Sequence, residues 1–160
     1  MPIKQGDRVP AATFKELTAT GLVDVDSATL FKGKKVAVFA LPGAYTPVCS
    51  AQHLPGYVEK ASALKQAGFD EIVCISVNDP FVMDAWGKSS GATGKVRMLA
   101  DADGAFTRAM GLVVSLPAFG LGERSERYSM LVEDGVIAKL DVEKSVLDHG
   151  VSSAVCMLGE

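Results

Sequence analysis

An aliphatic run followed by a Pro/Gly turn and a helix start constrains the fold of this chain more than any other stretch. Residues 36–40 read Val-Ala-Val-Phe-Ala, which predicts a buried strand, and Leu41-Pro42-Gly43 then turns the chain. Thr46 is a suitable N-cap, and Pro47 suits the first helical position because no intrahelical donor is lost there. The strand therefore leads into a helix that has Cys49 in its first turn.

The position of Cys49 at a helix start makes it a candidate reactive thiol. Unpaired amides and the positive end of the helix dipole stabilise a thiolate over a thiol there. A buried and inert cysteine is the alternative, because most free cysteines behave as small core residues. The location directly after a turn favours the reactive interpretation.

Length and composition predict one domain, spanning residues 1–160, because 160 residues suffice for one core but not comfortably for two. The chain is 48% hydrophobic and 22% charged, which is ordinary for a globular protein. A net charge of -3 gives no support for a nucleic-acid or anionic-membrane partner. No apolar run approaches the roughly 20 residues of a membrane span, and the N-terminal residues lack a signal core. We therefore expect a cytoplasmic protein.

The three cysteines, Cys49, Cys74 and Cys156, are odd in number and widely spaced. This pattern excludes a disulfide scaffold and a Cys-x-x-Cys site for zinc or dithiol chemistry. In a reducing compartment such cysteines are individually inert or individually catalytic. Cys49 and His53 are four residues apart, a spacing that metal ligands use, but two ligands without a second pair do not predict a metal site. We expect neither a metal nor a cofactor.

Hydrophobic periodicity predicts alternating strands and helices in the rest of the chain. The predicted strands are 12–17, 22–25, 36–41, 71–77, 96–100, 128–132 and 136–140, and the predicted helices are 27–31, 47–67, 80–88, 105–110 and 152–158. Parallel β-α units come first and an antiparallel hairpin follows. The order predicts an α/β protein with a thioredoxin-like fold: a central mixed sheet flanked by helices, with an N-terminal β extension.

Several local signals refine this prediction. Ser27 is the expected cap of the first helix, and Pro55 predicts a kink near residues 51–52. Asp134-Gly135 between two β-rich runs is typical of a hairpin turn. Residues 113–119 are apolar but contain a proline, and their pattern does not indicate a class of structure.

Pro42-x-x-x-Thr46-x-x-Cys49 resembles the peroxiredoxin active-site motif, and the longer stretch 42–50 is similar to the type II, peroxiredoxin-5-like subgroup. The resemblance continues in order through 31–35, 53–57, 76–81, 85–87, 99–101 and 124–130. It implies a thiol peroxidase that reduces hydrogen peroxide and organic hydroperoxides without a cofactor. Without the resemblance, the residues predict only a thioredoxin-like domain with one activated cysteine.

The resemblance also implies roles for individual residues. Cys49 would be the peroxidatic thiol, and Arg127 would supply a guanidinium that favours the thiolate and polarises the O–O bond. By position alone Arg127 would be a surface charge on a strand. Thr46 would cap the helix and point its hydroxyl proton to the sulfur or the peroxide, while Pro42 would shield the thiolate from water. We expect the competing Arg124 in solvent or in a surface ion pair, because on a strand it would face the other way.

The sulfenic acid formed on Cys49 has to be returned to a thiol. Cys74 matches a second cysteine of many type II members and is a possible resolving residue, but its interior strand favours packing. Cys156 lies in the terminal helix, outside the loop that carries the resolving cysteine of animal peroxiredoxin-5 proteins. We therefore expect a one-cysteine cycle with glutathione and glutaredoxin, or thioredoxin, as the reductant. A redox sensor that uses the same thiolate is the alternative, and a thioredoxin-fold scaffold with an unreactive Cys49 is another.

By the same resemblance, four aromatic residues line the active-site rim and a homodimer contact: Tyr45, Phe81, Trp86 and Phe119. Plain core packing is the alternative for each of them. His53 is expected to orient the loop or the dimer face. It is less suited to act as a general base, because a thiolate that is already ionised needs none.

Overall fold

The computed structural model describes residues 2–159. The seven predicted strands occur in the predicted order, together with two short strands that were not predicted. The strands are β1 (Thr13–Thr18), β2 (Gly21–Asp26), β3 (Lys35–Leu41), β4 (Glu71–Ser76), β5 (Arg97–Ala100), β6 (Val113–Ser115), β7 (Glu123–Ser125), β8 (Tyr128–Glu133) and β9 (Val136–Val142). Seven of them form one sheet in the order β2-β1-β5-β4-β3-β8-β9, and β6 pairs with β7 in a second sheet. β3, β4 and β5 run parallel whereas β8 is antiparallel to β3, so the predicted mixed sheet is confirmed.

Six α-helices lie in the described residues. They are α1 (Ser27–Phe31), α2 (Leu54–Glu59), α3 (Ala61–Gln66), α4 (Pro80–Ser89), α5 (Ala105–Met110) and α6 (Ala154–Leu158). A π-helical turn at Cys49–His53 precedes α2, and a 3-10 turn occupies Pro117–Phe119. Within residues 2–159, none of the helices is long and apolar enough to cross a membrane.

Strand β3 lies inside the sheet and is buried on both faces. Its alternate residues Ala37, Phe39 and Leu41 pack into one apolar cluster, and Val36, Val38 and Ala40 pack into another. Successive side chains of a strand point to opposite faces, so the two clusters are the two sides of the sheet. The carboxyl end of β3 is therefore a rigid support for the turn that follows it.

The N-terminal extension is a hairpin at one edge of the sheet. β1 and β2 pair with each other, as predicted, and β1 also pairs with β5. The expected cap of α1 was wrong by one residue, since Asp26 accepts the hydrogen bond from the Ala28 amide. The Ser27 hydroxyl instead donates to the Pro10 carbonyl, because Ser27 already lies inside the helix.

The closing hairpin joins β8 and β9 through the predicted Asp134-Gly135 turn. Both residues have positive φ, 49° and 80°, which is the conformation that a tight turn with this twist requires. The unclassified stretch after α5 contains β6 and the 3-10 turn, and β7 returns to pair with β6. This small second sheet lies immediately before the residues that complete the site.

Candidate active site

Cys49 begins a π-helical turn shortly after β3 ends. Pro47 is the first helical residue, as predicted, and the predicted kink takes the form of this wider turn. The Leu54 amide donates to the Cys49 carbonyl, while Pro55 has no amide proton to donate to Ala51. The Cys49 side chain is fully buried at this position.

The turn between β3 and the helix is held by polar contacts of its own. The Thr46 hydroxyl donates to the Gly43 carbonyl at 2.7 Å, and the Ala44 amide donates to Asn78 Oδ1 at 3.0 Å. Tyr45 has a φ of 64°, a left-handed conformation that costs a non-glycine residue about 1 kcal/mol or more. The structure corrects the expected direction of the Thr46 proton, which points to Gly43 rather than to the sulfur.

Arg127 is the buried cation that faces Cys49. Its side chain is 2% exposed, and Nη2 donates to Cys49 Sγ at 3.1 Å. Within residues 2–159 no carboxylate lies at ion-pair distance from this guanidinium. Burying an unpaired charge is costly, so a negative charge on the neighbouring sulfur stabilises the arrangement. The guanidinium therefore places a positive charge within hydrogen-bond distance of the Cys49 sulfur.

His53 holds the guanidinium from the other side. Its Nε2 lies 3.1 Å from the Ser152 carbonyl, which can only accept, so Nε2 carries the proton. Nδ1 is then the acceptor of the hydrogen bond from Arg127 Nη1, at 2.8 Å. Burial, the charge of Arg127 and the nearby His149 hold the pKa of His53 well below its usual range, so the ring stays neutral.

His53 is completely buried and contacts the Ser152 carbonyl of a loop, which agrees with the expected role in orienting a loop, while its expected role at a dimer face stays a prediction. The sequence pattern missed its contact with Arg127, although the spacing of four from Cys49 singled it out. Within the described part of the chain, no group of three or more His, Cys, Asp or Glu side chains is arranged to hold a metal ion. His53 thus lies beside the thiol as a hydrogen-bond partner of the cation.

A segment of residues 143–152, here called the strap, covers the guanidinium and the imidazole. Its Val146 carbonyl accepts from Arg127 Nε at 2.9 Å. Its Ser152 carbonyl accepts from both His53 and the Tyr57 hydroxyl, each at 3.1 Å. Sequence reasoning missed the strap because these acceptors are backbone carbonyls, which every residue type provides.

Arg124 does not lie free in solvent or in a surface ion pair, as its position predicted. It is half-buried, and its guanidinium donates to the Leu121 carbonyl at 2.9 Å and to the Pro42 carbonyl at 3.3 Å. The prediction was wrong because β7 and β8 belong to different sheets, so strand alternation does not relate Arg124 to Arg127. A Cβ at Gly43 would lie 2.8 Å from Arg124 Nη1, so glycine leaves room for this contact.

An apolar cavity of about 190 Å³ opens beside the two polar groups of the site. It is lined by Pro42, Thr46, Pro47, Val48, Leu116, Phe119, Leu121, Arg127, Val146 and Leu147. Thr46 and Arg127 are the polar side chains of this lining, and the other residues present apolar groups or backbone. The predicted catalytic residues Pro42, Thr46 and Arg127 therefore meet at one opening.

The four predicted rim aromatics separate into two groups. Tyr45, Phe81 and Phe119 are each more than half exposed, and Phe119 lines the cavity. Trp86 is buried and donates to the Ser50 hydroxyl at 3.1 Å, so its predicted place on the rim was wrong. Its burial matches the core-packing alternative.

All three cysteines are free thiols. Cys74 lies fully buried on β4, opposite Phe39 of β3, and burial together with the nearby Cys49 raises its pKa well above the usual range. A buried thiol of this kind is a poor nucleophile. Cys156 is half-buried in α6, and its Sγ donates to the Gly150 carbonyl of the strap at 3.1 Å.

Comparisons with known proteins give a consistent result over nearly the whole chain. The Redoxin family matches residues 4–157. Peroxiredoxin-2B of Arabidopsis thaliana is 45% identical over 154 residues, which cover 96% of this chain and 94% of the relative. Reduced Prx3 of Vibrio vulnificus, solved in complex with hydrogen peroxide, is 46% identical with a TM-score of 0.93 and 98% coverage of both chains. Peroxiredoxin 5 of Alvinella pompejana is 37% identical with a TM-score of 0.80, covering 91% of this chain and 94% of that one.

Proposed function

Because the chain belongs to the type II, peroxiredoxin-5-like peroxiredoxins, which are thiol peroxidases, we propose that it reduces hydrogen peroxide and organic hydroperoxides at Cys49. One observation supports Cys49 as the reacting residue. Arg127 Nη2 contacts Cys49 Sγ at 3.1 Å in a buried setting where no carboxylate of the described residues competes for the cation. Such a pair keeps the sulfur in its nucleophilic form.

In the proposed reaction, the thiolate attacks one oxygen of the peroxide. An S–O bond forms as the O–O bond breaks, and the leaving oxygen departs as alkoxide or hydroxide and takes a proton from water. Cys49 is oxidised to the sulfenic acid while the peroxide is reduced to an alcohol or to water. Arg127 supplies donors for the charge that develops on the oxygens.

Thr46 has a complementary role in this proposal. Its hydroxyl proton is engaged by the Gly43 carbonyl, so the lone pairs of Oγ1 remain to accept a hydrogen bond. A peroxide O–H bound there would donate its proton to Thr46 Oγ1, while Arg127, which lines the same cavity, contacts the sulfur. Pro42 lines the same opening and keeps water away from the thiolate.

The apolar wall of the cavity supports organic hydroperoxides as substrates. Leu116, Phe119 and Leu147 line the same cavity as the polar side chains of Thr46 and Arg127. An alkyl group would bury apolar area against this wall, at about 25 cal/mol per Å². Hydrogen peroxide requires only the polar end.

For the second half of the cycle, we propose reduction of the sulfenic acid by an external thiol. Glutathione with glutaredoxin, or thioredoxin, would serve, because Cys74 lies inside the sheet between β3 and β5 and a bond to Cys49 would require the core to rearrange. The exposed Tyr45, Phe81 and Phe119 support a homodimer that forms around the rim of the site. A cytoplasmic location, the expectation from composition, belongs to the same proposal.

The test is peroxide consumption with a thiol reductant, measured for the wild type, Cys49→Ser and Cys156→Ser. We expect Cys49→Ser to abolish turnover, while Cys156→Ser, which removes a thiol far along the chain in α6, keeps it. Peroxidase activity that survives in Cys49→Ser would overturn the assignment.

A further inference from the structure

We propose that Glu143 is a positioning residue of the peroxidatic site, which acts by holding the strap closed over Arg127 and His53. This inference rests on the proposed function, since it concerns the same thiolate. Glu143 is not among the residues that line the cavity, and its carboxylate makes no hydrogen bond to the sulfur or to the Arg127 guanidinium. It acts through the backbone of the strap.

The Glu143 carboxylate closes the strap into a ring. The residue is 7% exposed, and its Oε2 accepts from the Gly150 amide at 2.8 Å, the Ser152 amide at 2.8 Å and the Ser152 hydroxyl at 2.5 Å. Burial by itself would raise the pKa of Glu143, but the hydrogen bonds from Ser152 and Gly150 outweigh it and lower the pKa. The carboxylate is therefore ionised, and its charge-assisted hydrogen bonds link the start of the strap at Glu143 to its end at Gly150 and Ser152.

The same residue is joined directly to Arg127 through the main chain. The Glu143 amide donates to the Arg127 carbonyl at 2.9 Å, one step beyond the last pair of the β8–β9 ladder, Tyr128 with Val142. Glu143 thus connects the Arg127 backbone, through its own amide, to Gly150 and Ser152 at the other end of the strap, through its carboxylate. No other residue within 2–159 makes both of these connections.

The strap in turn fixes the side chains of the site. Its carbonyls at Val146 and Ser152 orient Arg127 Nε and His53 Nε2, respectively. The segment between them has no helix or strand. Its other hydrogen bonds are local: two amides bond to Ser145, and the Ser153 amide and Cys156 Sγ donate to the Gly150 carbonyl. Without the Glu143 carboxylate the strap would lose three hydrogen bonds, and the Tyr57 hydroxyl would be the remaining side-chain donor besides His53 to the Ser152 carbonyl. Both carbonyls would be held less firmly, and the guanidinium would be oriented less precisely toward Cys49.

Five titratable or charged groups face this arrangement. The Tyr57 hydroxyl of α2 and the Cys156 thiol of α6 contact the Ser152 and Gly150 carbonyls, and the other three are the Arg127 cation and two imidazoles. Arg127 approaches from the start of β8, His53 from the π-helical turn and His149 from the strap itself. Burial, together with Arg127, lowers the pKa of His149 despite the opposing charge of Glu143. Both imidazoles are therefore neutral near pH 7, and a change in Cys49 ionisation in a Glu143 variant would reflect the position of Arg127.

The experiment compares Glu143→Ala and Glu143→Gln with the matched control Asp148→Asn. Asp148 is exposed on the same strap, and within the described residues its carboxylate makes no hydrogen bond, so the control removes the same charge without opening the ring. The readouts are the rate of Cys49 alkylation by iodoacetamide as a function of pH and the rate constant of Cys49 oxidation by hydrogen peroxide.

For Glu143→Ala we expect the alkylation profile to move to higher pH and the oxidation rate constant at pH 7 to fall about tenfold. At a pH where every thiol is ionised, alkylation should return to the wild-type rate, which general loss of structure would not produce. Glu143→Gln should give a smaller change, because its amide oxygen still accepts but carries no charge. A Glu143→Ala profile that coincides with that of Asp148→Asn would overturn the proposal.

If Glu143→Ala fails to fold, Ser152→Ala tests the same ring by removing the hydroxyl donor, and it should shift the profile in the same direction. An unshifted Ser152→Ala together with an unshifted Glu143→Gln also refutes the proposal. Alkylation by iodoacetamide does not involve peroxide, so its pH profile tests the positioning role of Glu143 independently of the proposed peroxidase activity. Failure of the proposed peroxidase function would instead appear as a wild-type protein that peroxide does not oxidise.

Discussion

Arg127→Met isolates the contribution of the guanidinium, because methionine keeps much of the side-chain volume and removes the charge. In the wild type, Nη2 lies 3.1 Å from Cys49 Sγ and the pair is shielded from water. Two opposite charges about 4 Å apart interact by about 4 kcal/mol at an effective dielectric constant of 20. At 1.36 kcal/mol per factor of ten, this corresponds to about three orders of magnitude as an upper limit.

A second estimate gives the same range. Removing one preorganised hydrogen-bond donor from a site that stabilises developing charge typically costs about 10²- to 10³-fold in rate. We therefore expect the rate constant of Cys49 oxidation by hydrogen peroxide to fall about 10²- to 10³-fold in Arg127→Met. Arg127→Lys should lie between this variant and the wild type, since it keeps the charge but cannot reach Val146, His53 and Cys49 together.

The assay is stopped-flow fluorescence of the single tryptophan. Trp86 donates to the hydroxyl of Ser50, the residue after Cys49, and we expect its emission to change when the neighbouring sulfur is oxidised. The matched control is Arg124→Met, which loses the 3.3 Å hydrogen bond to the Pro42 carbonyl and should slow oxidation only about fivefold. An Arg127→Met protein that is folded and reacts within about threefold of the wild type, or equally slow variants at both positions, would refute the reasoning.

Three further predictions follow from other contacts. Thr46→Val loses the hydroxyl that donates to Gly43, so the rate constant of Cys49 oxidation should fall about tenfold. Thr46→Ser keeps the hydroxyl and should react at nearly the wild-type rate, and equal rate constants in the two variants would contradict this. Cys74→Ala should keep turnover with an external thiol and lose about 1–2 kcal/mol of unfolding free energy, and mass spectrometry that finds an obligatory Cys49–Cys74 disulfide would contradict it. His53 has a folded-state pKa well below 6.5, so the stability it contributes is complete above about pH 6.5 and is lost as pH falls from there, by at most about 1.4 kcal/mol per pH unit. His53→Gln should flatten this pH dependence of thermal unfolding, and unchanged slopes would show that another group is responsible.

The fold was predictable because its signals are local. Three signals each depend on residues within a few positions of one another: the helix start at Thr46-Pro47, the Asp134-Gly135 turn and the aliphatic run of β3. Backbone sterics and hydrophobic periodicity act over that range, so the sequence predicts most of the elements and their order, but not the short strands β6 and β7. The reactive setting of Cys49 at a helix start belongs to the same class of information.

The family resemblance predicted Arg127 as the partner of the Cys49 thiol. The position of Arg127 on a strand would by itself have predicted a surface charge. The structure brings the two side chains together across 78 residues of sequence. It also places Arg124 beside Pro42, 82 residues away, where strand alternation predicted solvent. Alternation failed there because two short strands of different sheets replace the single strand that it assumed.

The strap and the role of His53 were decided by the tertiary structure alone. Ser152 lies 99 residues from His53, and it contributes a backbone carbonyl to which no residue type is specific. The tautomer of His53 and the orientation of the Arg127 guanidinium depend on the positions of the Ser152 and Val146 carbonyls. Glu143 affects these positions only through its hydrogen bonds to the other end of the strap. The sequence by itself determined the strand, the turn and the thiol at the helix start, while long-range packing determined which cation faces that thiol and what holds the cation there.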